Sequence, residues 1–430
     1  MNQNPDLIFI FADQQHYQAV GCRDRHFSTP NWDRFAAEAM VFNTAYCTTP
    51  LCSPSRASLM TGMMPHRAGV ENNGQPLEHP SIAPKLQEAG YRTAYFGKWH
   101  LRDREVATKG WDQEQGVYDE YSAPNRPLDD QETLDFARDY IGQVELDKPF
   151  AMFVSFDEPH GVYWADPDGA YPREFMDEPV LHDETRLPTS WKEQDPEELA
   201  VDLQKLHSSK THRYAQAMGE DETAWRRYRE IYRDRVALFD KRLGELLSVI
   251  EARGLYENSI IVLTSDHGDM DAHHRLCFKG PLIYEQVQRV PLAIRVPERF
   301  GGIGPMVRED LVSLLDLYPT LLDMAGTSDE RAEGISLKPV LCDSAQSHKR
   351  EQCVIEYPEP RIRTLRRGKL KYSVYPGLGE FLFDLEDDPE ELKNLVGEKE
   401  FAGAKKEMRA ALEAWMREHD DPGLQSLDET

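Results

Sequence analysis

Ile260-Ile261-Val262-Leu263-Thr264-Ser265-Asp266-His267-Gly268 is the stretch from which the architecture follows. Six uncharged residues run without strict polar alternation and stop at an Asp-His-Gly cluster. A short apolar run of this kind predicts a strand covered on both faces. Three further runs repeat it. Leu7-Ile8-Phe9-Ile10-Phe11-Ala12 stops at Asp13-Gln14, and Tyr91-Arg92-Thr93-Ala94-Tyr95-Phe96 passes through Gly97 to Lys98-Trp99-His100. Phe150-Ala151-Met152-Phe153-Val154-Ser155-Phe156 stops at Asp157-Glu158-Pro159-His160. Helical segments between the runs make this the α/β pattern of a mostly parallel sheet. Ligands of such sheets gather outside the carboxyl ends of the strands, so the four polar clusters are expected to converge. One Asp after a strand is more often a turn or cap residue; four coincident clusters weaken that plainer reading.

The intervening segments fit this layout. Residues 81–89 read as a helix entering the second strand through Gly90. Between residues 221 and 254, Trp225, Tyr228, Tyr232, Val236, Phe239, Leu243, Leu246 and Ile250 recur every three or four positions, predicting one long amphipathic helix whose aromatics are core. Residues 308–325 read as a helical run closing at Gly326. Past residue 351 the texture changes to short strands, 353–357, 363–366, 370–374 and 380–384, followed by a helix over 398–418. The expected organisation is a catalytic α/β domain over 1–350 and a small antiparallel sheet plus helix over 351–430. The Pro- and acid-rich stretch 165–212 shows little periodicity and reads as a long surface excursion of the sort that forms lids.

Seventy-six acidic residues against 50 basic ones give a formal charge of −26 over 430 residues, which excludes broad contact with nucleic acid or an anionic membrane. An anionic substrate would need local positive charge, from side chains or a metal ion. No run reaches the length of a membrane span. Met1-Asn2-Gln3-Asn4-Pro5-Asp6 lacks the cationic start of a signal peptide, and the six cysteines are irregularly spaced, so a cytoplasmic protein with reduced thiols is expected.

Thr48-Thr49-Pro50-Leu51-Cys52-Ser53-Pro54-Ser55-Arg56 places a cysteine at the start of a predicted helix, with Pro54 in its first turn. A group there meets unpaired backbone N–H groups and the positive end of the helix dipole. Alone, such a cysteine is more often a small buried hydrophobe. Beside it the strand ends offer carboxylates Asp13 and Asp266, an amide oxygen at Gln14, imidazoles His100, His160 and His267, ammonium groups Lys98 and Lys279, and guanidinium Arg56. The oxygens favour a hard divalent cation, His267 admits a somewhat softer one, and the cations suit an oxyanion such as sulfate or phosphate. Zinc is disfavoured because no cysteine or histidine cluster has its spacing.

Cys52-Ser53-Pro54-Ser55-Arg56 resembles the C-x-P-S-R signature of the type I sulfatases, and the likeness spans nearly the whole chain. Phe11-Ala12-Asp13-Gln14 resembles their first metal-binding strand. Thr29-Pro30-Asn31-Trp32-Asp33-Arg34 and Gly97-Lys98-Trp99-His100-Leu101 are similar to two further family motifs. Ser265-Asp266-His267-Gly268-Asp269, then Lys279-Gly280-Pro281 and Arg289-Val290-Pro291-Leu292, resemble the second metal strand and the catalytic lysine; Phe383-Asp384-Leu385-Glu386-Asp387-Asp388-Pro389 and Asn394-Leu395 resemble the tail of the C-terminal subdomain.

The resemblance implies an alkaline-phosphatase-like fold and conversion of Cys52 to formylglycine by a maturation enzyme. One hydroxyl of the hydrated aldehyde attacks sulfur and displaces the alcohol; loss of the second hydroxyl's proton then expels sulfate and restores the aldehyde. By position, Asp13, Gln14, Asp266 and His267 are the implied metal ligands beside residue 52, with calcium first and manganese or magnesium as competitors. Arg56 and Lys98 are expected to hold the diol and its charge, His100 to act as the base, and His160 and Lys279 to grip the sulfate and assist the leaving oxygen. Gln14 and His267 depart from the Asp and Asn often found there, which lowers the negative charge around the ion.

The expected activity is hydrolysis of a sulfate ester of a carbohydrate or other small alcohol. The alternatives are a phosphonate monoester or phosphodiester hydrolase on the same scaffold, in which the Asp-Gln and Asp-His pairs also occur, and an unmatured binding protein. His273 and His274 read as structural, and Cys22, Cys47, Cys277, Cys342 and Cys353 as packing residues. Glu71, Asn72 and Asn73, in the loop after the Cys52 helix, read as a plain turn, with substrate contact as the alternative.

Overall fold

The computed structural model describes residues 4–102, 109–118, 130–165, 185–193, 215 and 217–429. Eight strands form one sheet in the order β4-β3-β5-β1-β6-β7-β2-β8. They are β1 (Asp6–Asp13), β2 (Met40–Tyr46), β3 (Arg92–Lys98), β4 (Gln113–Tyr118), β5 (Phe150–Pro159), β6 (Ser259–Ser265), β7 (Arg289–Arg295) and β8 (Met306–Ser313). Only β7 runs against its neighbours; every other pairing is parallel.

The apolar runs become central strands because both sheet faces are covered. Along β1, Leu7, Phe9 and Phe11 enter one core with Met60, Leu86 and Phe153, while Ile8, Ile10 and Ala12 enter the other with Ile141, Phe239 and Leu246. Phe9 stacks on Phe153 of β5 with ring centroids 5.0 Å apart. Truncating such a ring to alanine costs roughly 3–5 kcal/mol in a closed core. The long helix Glu222–Ala252 lies over the second face, and Asp221 caps it by accepting from the Thr223 and Ala224 amides.

Residues 308–325 are not one helix. Their first part is the edge strand β8, parallel to β2, and a helix forms only over Leu317–Met324. The Val-Arg-Glu-Asp-Leu-Val run of β8 is half-exposed and charged, which mimics a surface helix; pairing with β2 overrides that local pattern. β2 and β4 also lie outside the strands expected from the sequence. Of the 165–212 excursion, only 185–193 lies within the described residues, with a short helix Thr189–Glu193.

The C-terminal strands β9 (Gln352–Tyr357), β10 (Ile362–Arg367), β11 (Leu370–Tyr375) and β12 (Gly379–Asp384) form an antiparallel sheet in consecutive order. One face packs on the helix Ala402–Glu418 through Leu365, Tyr372, Leu382, Leu412 and Met416. The other face, with Ile362, Tyr375 and Phe383, packs on Met270, Leu282 and Tyr284 of the segment between β6 and β7.

Candidate active site

The helix Cys52–Thr61 is wholly buried and begins at the carboxyl edge of the large sheet. Leu51 gives its N-terminus no side-chain cap, and the Ser53 amide instead donates to Asn73 Oδ1 at 3.0 Å. Ser53 Oγ donates to the His100 carbonyl at 2.5 Å, and Ser55 Oγ to the Asp266 carbonyl at 2.6 Å. The small residues of this helix thus tie its first turn to the ends of β3 and β6.

Cys52 Sγ is the point of convergence. Lys279 Nζ stands 2.7 Å away, His267 Nε2 3.3 Å and Asp13 Oδ1 3.6 Å. Asp13, Cys52, Asp266 and His267 each direct one ligand atom into a cluster in which all four atoms lie within 4.8 Å of one another. His267 Nδ1 faces the Gly268 carbonyl at 3.0 Å, which can only accept, so that nitrogen carries the proton and Nε2 keeps its lone pair toward the cluster.

Gln14 completes the set. Its backbone is left-handed at φ 75°, its Nε2 donates to Asp269 Oδ2 at 2.6 Å, and its buried Oε1 has no hydrogen-bond partner. A carbonyl oxygen orphaned beside two carboxylates and an imidazole lone pair fits a hard divalent cation. The donors present therefore match the implied metal.

Arg56 works on the carboxylates. Its Nε donates to Asp266 Oδ2 at 2.9 Å and one terminal nitrogen to Asp13 Oδ2 at 2.8 Å; the other terminal nitrogen serves the Lys98 carbonyl and Ser155 Oγ, both at 2.7 Å. Lys98 Nζ bridges Asp13 Oδ2 at 2.9 Å and Asp157 Oδ1 at 2.7 Å. Burial opposes the Lys98 charge, but Asp13 and Asp157 hold the ammonium well above its ordinary value. Burial likewise disfavours an ionised Asp13, yet the Lys98, Lys279 and Arg56 charges hold it well below the usual carboxylate range. Three carboxylates, Asp13, Asp157 and Asp266, thus balance Arg56, Lys98 and Lys279, and one divalent ion would leave the pocket positive for an anion.

His160 lies beside Asp157, with Nδ1 3.9 Å from Oδ1. Burial and the Lys98 and Lys279 charges push its imidazole well below the ordinary value, so the ring is neutral near pH 7. His100, left-handed at φ 59° and 1% exposed, follows β3. Gly97 makes this approach feasible: a Cβ there would sit 2.1 Å from the Ser155 carbonyl oxygen.

All ten residues expected at the site lie around this one sheet edge. The sequence reading assigned no role to Asp157, Ser155 or Asn73, which position Lys98, Arg56 and the Cys52 helix. It also passed over Tyr357, whose hydroxyl lies 3.7 Å from where a Cβ on Gly280 would sit and whose phenol is pushed up by burial and by the neighbouring Cys52. Asp157 stood in a strand-end cluster and was legible there; Tyr357 arrives from the distant C-terminal sheet.

The sulfatase family model matches residues 5–327, and a model described as the N-sulphoglucosamine sulphohydrolase C-terminal region matches residues 273–418. The Delta 4,5-hexuronate-2-O-sulfatase of Bacteroides thetaiotaomicron is 28% identical, covering 97% of this chain and 90% of the relative. A choline-sulfatase of Rhizobium meliloti is 30% identical over 91% of this chain and 82% of its own. A solved 2-O GAG sulfatase superposes with a TM-score of 0.83 at 27% identity, covering 97% of this chain and 93% of that one. These likenesses meet a buried cysteine set among carboxylates, lysines and a lone-pair imidazole at the strand ends, and together they establish that the chain belongs to the sulfatase family and hydrolyses sulfuric esters.

Proposed function

We propose that this chain removes the sulfate from a sulfated carbohydrate, with residue 52 acting as a formylglycine hydrate made by a separate maturation enzyme. The observation carrying the reading is the approach of Lys279 Nζ and His267 Nε2 to one buried Sγ, with Gln14 Oε1 orphaned nearby. The sulfur marks where a diol oxygen would stand.

Asp13, Gln14, Asp266, His267 and residue 52 would hold a divalent ion, calcium first with manganese and magnesium as competitors, which would supply positive charge against the ester's sulfate oxygens. Arg56 and Lys98 fix the two carboxylates and so set the charge felt by the diol. Lys279 grips a sulfate oxygen and offsets the charge that grows as sulfur is attacked. The neutral His160 offers an N–H to the leaving alcohol oxygen, and His100 takes the proton of the second hydroxyl when sulfate departs. Residues 1–350 would carry this chemistry, with 351–430 closing the Lys279 side.

The hexuronate and 2-O GAG sulfatase relatives support a saccharide, and the choline-sulfatase supplies the competing substrate. Six free cysteines support a cytoplasmic location. No described helix is long and apolar enough to cross a membrane. A panel of defined sulfated mono- and disaccharides beside choline sulfate tests the substrate. Fastest turnover on a saccharide is expected, and cleavage of choline sulfate alone would overturn it. Aryl sulfate is expected to be cleaved faster than aryl phosphonate. In protein from the native host the peptide spanning residue 52 is expected about 18 Da below its thiol mass. Unmodified thiol throughout would instead favour a non-catalytic binding protein.

A further inference from the structure

A cavity of about 1280 Å³ is lined by none of the site residues described above. Part of its wall follows the strand ends that carry the site. Residues 18–26 follow Gln14, His273 follows His267, and the long helix contributes Arg226, Arg229 and Arg233. The His273 ring lies 6.5 Å from that of His16, two residues beyond Gln14.

In a chain of net charge −26 this cavity is basic. Arg229 is matched internally, by Asp271 at 2.7 Å, and Arg226 by Glu222 at 2.9 Å. Arg25, Arg186 and Lys192 have no carboxylate partner among the described residues, and the acids lining the space are Asp24 and Glu390. Glu390 is engaged by His273 at 3.2 Å, and Asp24 lies 3.7 Å from Arg229. Two neutral groups of the lining are also unsatisfied. Thr185 is 3% exposed, and its buried hydroxyl has no hydrogen-bond partner; neither has His26 Nε2. Surplus cations with buried hydroxyl and imidazole groups left over are what a ligand carrying both oxyanions and hydroxyls would satisfy. The volume exceeds the roughly 300–1,000 Å³ of ordinary small-molecule pockets, so more than one sugar ring fits.

We propose that this cavity binds a second anionic group, sulfate or carboxylate, of a multiply charged saccharide whose ester is cleaved at residue 52. The inference rests on the carbohydrate reading above and adds a recognition site for it. Arg25, Arg186 and Lys192 supply the charge, and Thr185 and His26 meet sugar hydroxyls.

The test uses the full chain with Arg25→Gln, Arg186→Gln and Lys192→Gln combined, in the active background for kinetics and in Cys52→Ala for calorimetric binding. The probes are a disaccharide carrying both a sulfate and a carboxylate, a monosulfated monosaccharide, and inorganic sulfate. For the disaccharide, KM and Kd are expected to rise about tenfold with kcat unchanged, while the monosaccharide constants stay put. Arg186→Lys alone should leave the disaccharide constants near wild type. Equal disaccharide affinity in both chains would overturn the proposal, as would equal losses for both saccharides, or a loss confined to inorganic sulfate. If the wild type turns over no saccharide, the carbohydrate reading fails by itself, and the binding arm still decides the cavity.

Discussion

Among the described residues, two buried clusters are built from the same residue types, and they differ in what is left over. At the junction of the two sheets, Arg363 donates to both oxygens of Asp421 at 2.6 and 2.7 Å. Beside this pair, His66 sets Nδ1 against Glu356 at 2.6 Å and Nε2 against the His419 carbonyl at 3.0 Å. His66, Glu356 and Asp421 lie close enough to pass as metal ligands, as do Asp13, Cys52, Asp266 and His267. Proton bookkeeping separates the clusters. Both nitrogens of His66 face acceptors, so the ring is a cation without a lone pair, and Arg363 occupies Asp421. His267 keeps its lone pair, and Gln14 Oε1 has no hydrogen-bond partner. The junction is satisfied within itself and holds the fold; the centre at residue 52 keeps donor atoms that fit a cation.

The contrast can be broken at either end. Cys52→Ala is expected to lower turnover by at least ~10⁴-fold, because in the proposed mechanism residue 52 is the nucleophile. Its melting profile should match the unmodified chain, and retained activity would refute the role of residue 52. Asp266→Asn removes a carboxylate that Arg56 binds and that the proposed ion site uses, and kcat/KM should fall by about 10²–10³. Elemental analysis should show the bound metal falling with it. At the junction the effects exchange places. Arg363→Met leaves Asp421 buried without its partner and should cost ~3–5 kcal/mol in denaturant unfolding. Turnover per folded molecule should survive.

The smallest effect depends on pH. Burial works against a charged His66, but Glu356 and the His419 carbonyl outweigh it and raise the imidazole to about 9. Its unfolded value is about 6.5. The clamp's contribution is therefore complete below pH 6.5 and fades as pH climbs through 9. Wild type should lose about 3 kcal/mol more than His66→Gln across that window. Parallel stability curves for the two chains would show that His66 is not the group responsible.

How much of this was legible in the sequence follows from where the information sits. The central strands were readable because double-sided burial leaves continuous apolar runs, as in β1 and β6. β8 was misread because an edge strand keeps its charges, and only the neighbouring β2 tells Arg308, Glu309 and Asp310 apart from a helix surface. The site residues were readable where a strand ends in them, since sheet order brings Asp13, Lys98, His160 and Asp266 to one edge. Tyr357, and the cavity joining Arg25 to Arg186 and Lys192, were not, because such groupings depend on contacts between distant segments that carry no local pattern.

The hydrogen bond from Gln14 to Asp269 constrains how this centre can be altered. Asp269 Oδ2 takes the amide nitrogen at 2.6 Å, and Oδ1 takes the Tyr228 hydroxyl at 2.7 Å from the long helix. A carboxylate placed at position 14 would replace the amide donor with a second acid facing Asp269, whose carboxyl burial already pushes up to about 7. Residues 255 positions apart therefore form a compensatory pair. Gln14→Asp alone should be poorly accommodated, and Gln14→Asp with Asp269→Asn should restore a donor to the gap, so redesign of the ion's charge environment has to begin at residue 269.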